Sequence, residues 1–373
     1  MLASPSALYT IPELLSRAYS LLAHNDKHSA EELGHIGMEL ESRSRFYHAR
    51  TILERAISLD PCSHPEWYVS LAFAHFRDVT GNFAADGERV LIEGIEETDS
   101  DYLKASYLAV LEGASSEDIA DLVEYLSSSS DCSVRFALGH SLLWRGEHAQ
   151  ALHVLREART MLDDNSGVIL GLDAYCAALN WMYAQGVATI DLDTEVRPYV
   201  ERMIHCAPHV YNYRALHIQM YQVLKRYDVV ISVAQNTLST FPDEETTMVA
   251  LASAYEKLGD DERAICWYNR AIGAKPSYAR ARSMLGKLYE RRGNLSLAEE
   301  IFRDIERAFP EYYAGKIELA YFLRRIGKDC EAQALFRYAY DHLTTFEKVA
   351  VQQHPEGKVF VSDMMALELP VVH

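Results

Sequence analysis

The sequence has little of what marks several common protein classes. Among its 373 residues are only 11 prolines and 18 glycines, so long loops and disordered linkers are not expected. The six cysteines are scattered without any Cys-x-x-Cys pair, which is typical of reduced, small core residues in a cytoplasmic protein. No run of about 18 apolar residues occurs, so no membrane-spanning helix is expected. The N-terminus lacks a basic region followed by an apolar stretch, and no secretion signal is predicted.

Basic residues are scarce relative to acidic ones, with 36 Lys and Arg against 54 Asp and Glu and a net charge of −18. Such a surface repels nucleic acid and anionic lipid, so neither is an expected partner. His24 and His28 have helical ligand spacing but no obvious third ligand, while His205 and His209 flank Pro208 in a predicted turn. No phosphate-binding loop or nucleophile elbow occurs. We therefore expect no metal, no cofactor and no enzymatic activity.

A period of 34 residues runs through the C-terminal half of the chain. Prolines, turn glycines, aromatic residues and small residues each recur at this step. The recurring positions are Pro208, Pro242, Pro276 and Pro310; Gly259, Gly293 and Gly327; Tyr255, Tyr289 and Leu323; Ala264, Ala298 and Ala332; and Tyr268, Phe302 and Phe336. Five kinds of position that share one period indicate a repeat protein.

The pattern resembles the tetratricopeptide repeat family, whose signature joins an aromatic residue, Leu-Gly, Tyr, Ala-x-x-x-Phe and Pro. The copy that fits best has Leu285-Gly286, Tyr289, Gly293, Ala298, Phe302 and Pro310. The resemblance implies an all-α fold, a right-handed superhelical solenoid of about nine stacked antiparallel helix hairpins. Neighbouring hairpins would cover each other's apolar faces.

The recurring residue types have physical reasons to occupy their places in such a hairpin. The turn glycines suit a left-handed C-cap that ends the first helix. Asp260 and Asn294 follow where the second helix needs an N-cap. Gly286 is expected where two helices approach closely, with the ring of Phe302 beside it.

The pattern also predicts the organisation of the chain. Residues 1–29 form an N-terminal capping helix, 30–131 form acidic, divergent hairpins with turns at Gly81-Asn82 and Gly113, and 347–373 form a tail. The repeats of residues 132–346 are 132–165, 177–210, 211–244, 245–278, 279–312 and 313–346. The tail either caps the last hairpin or docks as a peptide, on a partner or on the chain's own groove.

In this family the first helix of each repeat lines a concave inner surface, and basic residues are predicted to cluster there. The predicted partner-binding residues of this basic face are Arg280, Lys287, Arg291, Tyr321, Arg324 and Arg325. Residues 279–346 hold 12 Lys and Arg against 10 Asp and Glu, whereas residues 1–130 hold 9 against 22. The face is interpreted as a pocket for an acidic segment or a C-terminal carboxylate. Alternatively, it is a solvated face that pairs with Glu290 and Glu318.

A second candidate surface lies in the middle of the predicted groove. It would present Phe136, His140, Trp144 and Trp181, an aromatic wall that suits an apolar partner helix. The alternative is that the two tryptophans fill the interior of their hairpins.

Together these features favour a non-catalytic scaffold or adaptor that binds another protein, as an acidic peptide or a partner helix in the concave groove. Two alternatives stay open, because one fold serves many functions. The first is an assembly or secretion chaperone, whose hydrophobic client would be unstable without this chain. The second is a helical accessory subunit, which would copurify with a larger complex in a fixed ratio.

Overall fold

The computed structural model describes residues 10–78, 84–111, 115–162, 170–186, 190–310, 312–343, 348, 351–352 and 354–368. Within these residues the regular structure is helical, and no β-strand occurs in them. The predicted turns at Gly81-Asn82 and Gly113 lie outside the described residues. The all-α prediction is confirmed.

The chain divides into two compact units, one of residues up to Thr247 and one that begins at Met248. We call them the N-terminal unit and the C-terminal unit. The N-terminal unit contains α1 (Ile11–Leu21), α2 (Lys27–Ser42), α3 (Phe46–Leu59), α4 (Pro65–Phe76), α5 (Ala84–Thr98), α6 (Asp101–Tyr107), α7 (Ser116–Ser127), α8 (Cys132–Trp144), α9 (His148–Thr160), α10 (Leu172–Gln185), α11 (Leu192–Glu195), α12 (Arg197–Cys206), α13 (Tyr211–Val223) and α14 (Tyr227–Thr240). The division falls within α15 (Glu245–Lys257), and the C-terminal unit continues with α16 (Asp261–Ala274), α17 (Ala279–Arg291), α18 (Leu295–Ala308), α19 (Tyr313–Arg325), α20 (Asp329–Asp341) and α21 (Pro355–Glu368).

Consecutive helices pack against each other as the hairpin pattern predicts. In the N-terminal unit α2 packs on α3, α4 on α5, α8 on α9 and α13 on α14. In the C-terminal unit α17 packs on α18 and α19 on α20, and α18 also packs on α19. Each pair therefore covers an apolar face of the next pair, which is how repeat proteins build a continuous core.

The turn glycines take the conformation that their residue type predicts. Gly259, Gly293 and Gly327 have φ of +84°, +79° and +81°, in the left-handed region that glycine enters without a steric cost. The following residues cap the next helix: the Asp260 carboxylate accepts from the Arg263 N–H at 3.1 Å, and the Asn294 side chain from the Leu297 N–H at 3.3 Å. The predicted C-caps and N-caps are confirmed.

The predicted close approach at Gly286 is confirmed as well. A Cβ atom at this position would lie 3.1 Å from the nearest atom of the Phe302 ring. The contact is tighter at Gly139 of the N-terminal unit, where a Cβ atom would lie 2.5 Å from Leu155 Cγ. Glycine is required at such positions because a larger residue would push the two helices apart.

The cysteines depart from the expectation that they are core residues. All six are free thiols, and of these only Cys176 is buried. The expectation is wrong for Cys62, Cys206, Cys266 and Cys330, which are exposed because they lie in turns or on the outer faces of their helices. In the described part of the chain, no helix is long and apolar enough to cross a membrane.

Candidate partner-binding site

The first helices of successive pairs in the N-terminal unit surround a cavity of about 880 Å³, which we call the inner cavity. Its wall comes from α1, α2, α4, α6, α8, α10 and the start of α13. Leu14, Ile36, Met38, Val69 and Phe73 form an apolar part of this wall. The volume lies near the upper end of the roughly 300–1,000 Å³ that is usual for ligand pockets.

One contact brings the two ends of the N-terminal unit together, and we call it the closing contact. Arg45, after α2, donates two hydrogen bonds of 2.8 Å to the two carboxylate oxygens of Glu245. Beside it, Arg43 lies 3.5 Å from Glu244 and 4.6 Å above the ring of Phe241. Arg43, Glu244 and Glu245 are almost fully buried. The closing contact therefore joins residues that lie about 200 positions apart, and one of its members, Arg43, also lines the cavity.

The lining of the inner cavity is acidic. Two arginines, Arg17 and Arg43, belong to the lining, and both face carboxylates of the same cavity. Arg17 pairs with Glu32, and Arg43 pairs with Glu39 at 2.8 Å. Six carboxylates line it: Glu31, Glu32, Glu39, Glu41, Glu66 and Asp173. The arginines therefore offset only part of the negative charge.

Asp173 stands out among these carboxylates. It lies in the first turn of α10 and accepts a hydrogen bond of 3.0 Å from the side-chain amide of Asn212. No lysine or arginine of the described residues lies within ion-pair distance of it. Burial raises the pKa of Asp173, and burial likewise raises the pKa of Glu39 and of Glu41, although both of these face an arginine. Burial therefore makes the negative charge of these carboxylates costly.

Two histidines of the cavity, His140 and His209, do not compensate for this charge near neutral pH. Burial lowers the pKa of His140 to about 4. Burial, with a smaller effect of nearby His35, also lowers the pKa of His209. Both rings are therefore mainly neutral at pH 7. No three His, Cys, Asp or Glu groups of the described residues converge to hold a metal ion.

Ser70 on α4 contributes an unused hydrogen-bonding group to the wall. The residue is 8% exposed, and its hydroxyl oxygen has no hydrogen-bond partner among the described residues. A buried polar group without a partner costs about 1–3 kcal/mol. A ligand that reached this hydroxyl would recover part of that cost.

Sequence comparison bears on the C-terminal unit. Residues 249–313 match the sequence model of the tetratricopeptide repeat. These residues are tetratricopeptide repeats. They span most of the predicted repeats 245–278 and 279–312, in which the 34-residue pattern is clearest. The inner cavity lies outside the matched residues, in the unit whose sequence keeps the pattern less strictly.

No curated protein matches the sequence. The chain is similar to a chain in the crystal structure of the APC/C hetero-tetramer Cut9-Hcn1, with 16% identity and a TM-score of 0.43. The alignment covers 83% of the present chain and 58% of that chain.

The predicted basic face of the tetratricopeptide repeats is a row of internal ion pairs. Lys287 pairs with Glu318 at 2.7 Å, one of the two carboxylates that the alternative interpretation named. Arg325 pairs with the other, Glu290, at 2.7 Å. The remaining pairs join Arg291 to Glu256 and Asp261, Arg324 to Asp363, and Arg325 to Glu356. Arg280 is exposed and has no ion pair among the described residues.

The end of this face is covered by α21 of the tail. Tyr321 is only 8% exposed, and its ring stacks on His354 at 4.9 Å. Phe360 of α21 is 1% exposed and stacks on Phe336 of the last repeat at 4.4 Å. The tail thus lies on its own last hairpin. Its capping function and the partner-binding role of the basic face stay predictions.

The four aromatic residues predicted for the middle of the groove do not form one surface. Phe136 is fully buried, with its ring 5.5 Å from that of Tyr175. His140 lines the inner cavity. The indole N–H of Trp144 donates a hydrogen bond of 3.3 Å to the His140 ring, and Trp144 is 52% exposed. Trp181 is 40% exposed. The interpretation that both tryptophans fill hairpin interiors is therefore wrong, because their outer faces meet solvent.

The sequence reasoning missed most residues of the inner cavity. Arg43, Ser70 and Asp173 carry no motif, and each stands in a stretch that departs from the repeat pattern. One signal was present: residues 1–130 hold 9 Lys and Arg against 22 Asp and Glu. That excess marks the part of the chain that contributes five of the six carboxylates of the lining.

Proposed function

We propose that the protein is a non-catalytic interaction scaffold that binds a segment of a partner protein in the inner cavity. The observation that carries this proposal is the cavity itself, about 880 Å³ with an apolar wall and several polar groups on it. Apolar walls with a few fixed polar groups are usual in binding sites, since the wall supplies affinity and the polar groups set orientation. The tetratricopeptide repeats support the coarser role, a scaffold for protein–protein interaction.

Blocking the cavity tests the proposal. Ala174 lines the cavity on α10, and Ala174→Trp places a large ring inside it. The matched control is Ala149→Trp, at an exposed position on α9 of the same unit. Native chain and both variants, each checked for helix content and melting temperature, are used to capture proteins from a lysate of the source cells. We expect a set of partners to be retained by native chain and by Ala149→Trp but lost from Ala174→Trp.

A photo-crosslinking amino acid at Met38, in the cavity wall, locates the contact directly. A partner peptide should become attached at Met38 and not at Ala149. Identical partners on all three proteins, together with no crosslink from Met38, would place the interaction on another surface. A client that disappears from cells lacking this chain would move the assignment from scaffold to chaperone.

The basic face offers a second candidate, favoured by Arg280, which is exposed and has no ion pair in the described part of the chain. An acidic peptide bound there would depend on Arg280, while the other basic residues keep their internal ion pairs. Arg280→Glu should then abolish binding of an acidic probe peptide, and Arg292→Glu, at the opposite end of α17, serves as the control. Equal binding by both variants would exclude this face.

A further inference from the structure

We propose that the segment entering the inner cavity carries a lysine or arginine side chain, whose cation pairs with Asp173. This inference rests on the proposed function, since it specifies the chemistry of the occupant of that same cavity.

The charge balance of the lining is the first argument. Six carboxylates line the cavity, and three of them pair with arginines: Glu32 with Arg17, Glu39 with Arg43 and Glu41 with Arg77. Glu31, Glu66 and Asp173 have no lysine or arginine partner among the described residues. A carboxylate held away from water is costly unless a cation accompanies it. An incoming cation would therefore be stabilised by the field of the whole lining, whereas an incoming acidic segment would be repelled by it.

The surroundings of Asp173 are the second argument. Asp173 meets an amide and backbone N–H groups but no cation of the described residues. Burial first, and the nearby Asp173 carboxylate second, raise the pKa of both Tyr102 and Tyr213. Tyr102 and Tyr213 line the inner cavity together with this carboxylate. Aromatic faces attract ammonium and guanidinium groups, so the three side chains together suit a cationic head.

The apolar wall is the third argument. Lysine and arginine join a charged head to a chain of methylene groups, which packs well on apolar surface. Val69 and Phe73 provide such surface on α4, and Ser70 between them offers a hydroxyl without a partner. A purely apolar segment would leave Asp173 and Ser70 buried without new partners, which costs binding free energy.

Selection from a random peptide library tests the inference on the native chain. Displayed peptides of eight residues are selected on the full-length protein and counter-selected on Ala174→Trp, so that only cavity-dependent sequences remain. We expect lysine and arginine to be enriched among them. Enrichment of acidic or uncharged peptides would overturn the cation inference and leave the scaffold function standing. Absence of any cavity-dependent peptide would overturn both.

The role of Asp173 is then measured with one enriched basic peptide and its copy in which each Lys or Arg is replaced by norleucine. Asp173→Asn keeps the shape of the side chain, and Asp228→Asn is the matched control, an exposed Asp in the first turn of α14. A charge-assisted hydrogen bond predicts a Kd that rises roughly tenfold or more in Asp173→Asn and stays unchanged in Asp228→Asn. The norleucine peptide should bind both variants equally weakly. Equal affinity of the basic peptide for native chain and Asp173→Asn would overturn the pairing.

Discussion

The two units hold their charges in different ways. In the C-terminal unit the pairs Lys287–Glu318 and Arg325–Glu290 lie between neighbouring repeats, and each basic member is more than a third exposed. In the N-terminal unit Arg45 and Glu245 are 13% and 0% exposed. Exposed pairs are worth about 0–1 kcal/mol, whereas removing one member of a buried pair costs about 3–5 kcal/mol. The buried Arg45–Glu245 pair is therefore structural, whereas these two pairs of the C-terminal unit are replaceable.

The two units also differ in how closely they follow the repeat pattern. The C-terminal unit keeps the repeat pattern and joins each helix pair mainly to the next. The N-terminal unit departs from the pattern, and there the chain joins α2 to α13 and surrounds a cavity. Each prediction below contrasts a position in the irregular unit with a position in the regular one.

The largest effect is expected at the closing contact. Arg45→Ala removes the two hydrogen bonds that Arg45 donates to the buried Glu245 carboxylate, and the free energy of unfolding of the N-terminal unit should fall by about 3–5 kcal/mol. Arg292→Ala removes an exposed pair with Glu262 and should cost less than about 1 kcal/mol. Urea denaturation gives both values, and hydrogen exchange in α2 and α13 shows where stability is lost. Similar losses in the two variants would remove the distinction between the units.

A pH dependence should come next in size. Burial raises the pKa of Glu244 to about 8, although nearby Arg43 acts in the opposite direction. The folded protein therefore binds this proton more tightly than the unfolded chain, whose Glu has a pKa near 4.5. Stability contributed by the protonated carboxyl is present below that value, is lost as the pH rises towards 8, and changes no further above 8. The slope is at most about 1.4 kcal/mol per pH unit.

Urea midpoints measured from pH 5 to pH 9 test this prediction. Glu244→Gln should have a shallower slope than native chain, because its amide does not titrate. Glu306→Gln, on α18 of the regular unit, should leave the slope unchanged. A native curve that rises or stays flat across this window would contradict the raised pKa.

A smaller effect is expected for glycines inside helices. Gly139→Ala puts a methyl group 2.5 Å from Leu155 Cγ and should destabilise the protein by about 1–3 kcal/mol. Gly273→Ala, within α16, meets no atom within 4 Å and should stabilise it by about 0.5–1 kcal/mol. Opposite shifts in the urea midpoints are the expected result. Stabilisation by both substitutions would show that the Leu155 side chain can move aside to accommodate a methyl group at position 139.

The smallest effect concerns a turn without glycine. Lys225 lies 34 residues before Gly259 and has φ of +57°, so it takes the left-handed conformation that glycine takes in the later turns. Lys225→Gly should raise the free energy of unfolding by about 1 kcal/mol, since a non-glycine residue pays a steric cost there. Gly327→Lys should lower it by a similar amount. A loss of stability in Lys225→Gly would mean that the lysine side chain has a compensating contact.

The sequence allowed the regular features to be predicted because they depend on local chemistry. A glycine in a turn, an Asp or Asn after it and a small residue opposite a ring are each recognisable within one repeat, and all were found. Lys225 was missed because lysine as a residue type does not indicate a left-handed turn. Only its position, 34 residues before Gly259, indicates one. The exposure of Trp144 and Trp181 could not be predicted, since it depends on which helix face the next pair leaves uncovered.

The inner cavity was beyond prediction for a different reason. Its wall forms only when several pairs have stacked and the chain meets itself again. No local pattern relates Arg45 to Glu245. The acidic excess of residues 1–130 indicated a negative charge, but it did not indicate that several of these carboxylates line one cavity. Residue types therefore predicted the hairpins, while the site depends on how six successive first helices are arranged.

The closing contact also affects the order in which the protein is made. Glu245 leaves the ribosome 200 residues after Arg45, a delay of roughly 10 to 40 s at 5–20 residues per second. During that time the early helices can pair with their neighbours, but α13 has not yet packed on α2 and Arg45 lacks the carboxylate of Glu245. The nascent chain therefore spends tens of seconds with the part of α2 that α13 later contacts exposed to the cell.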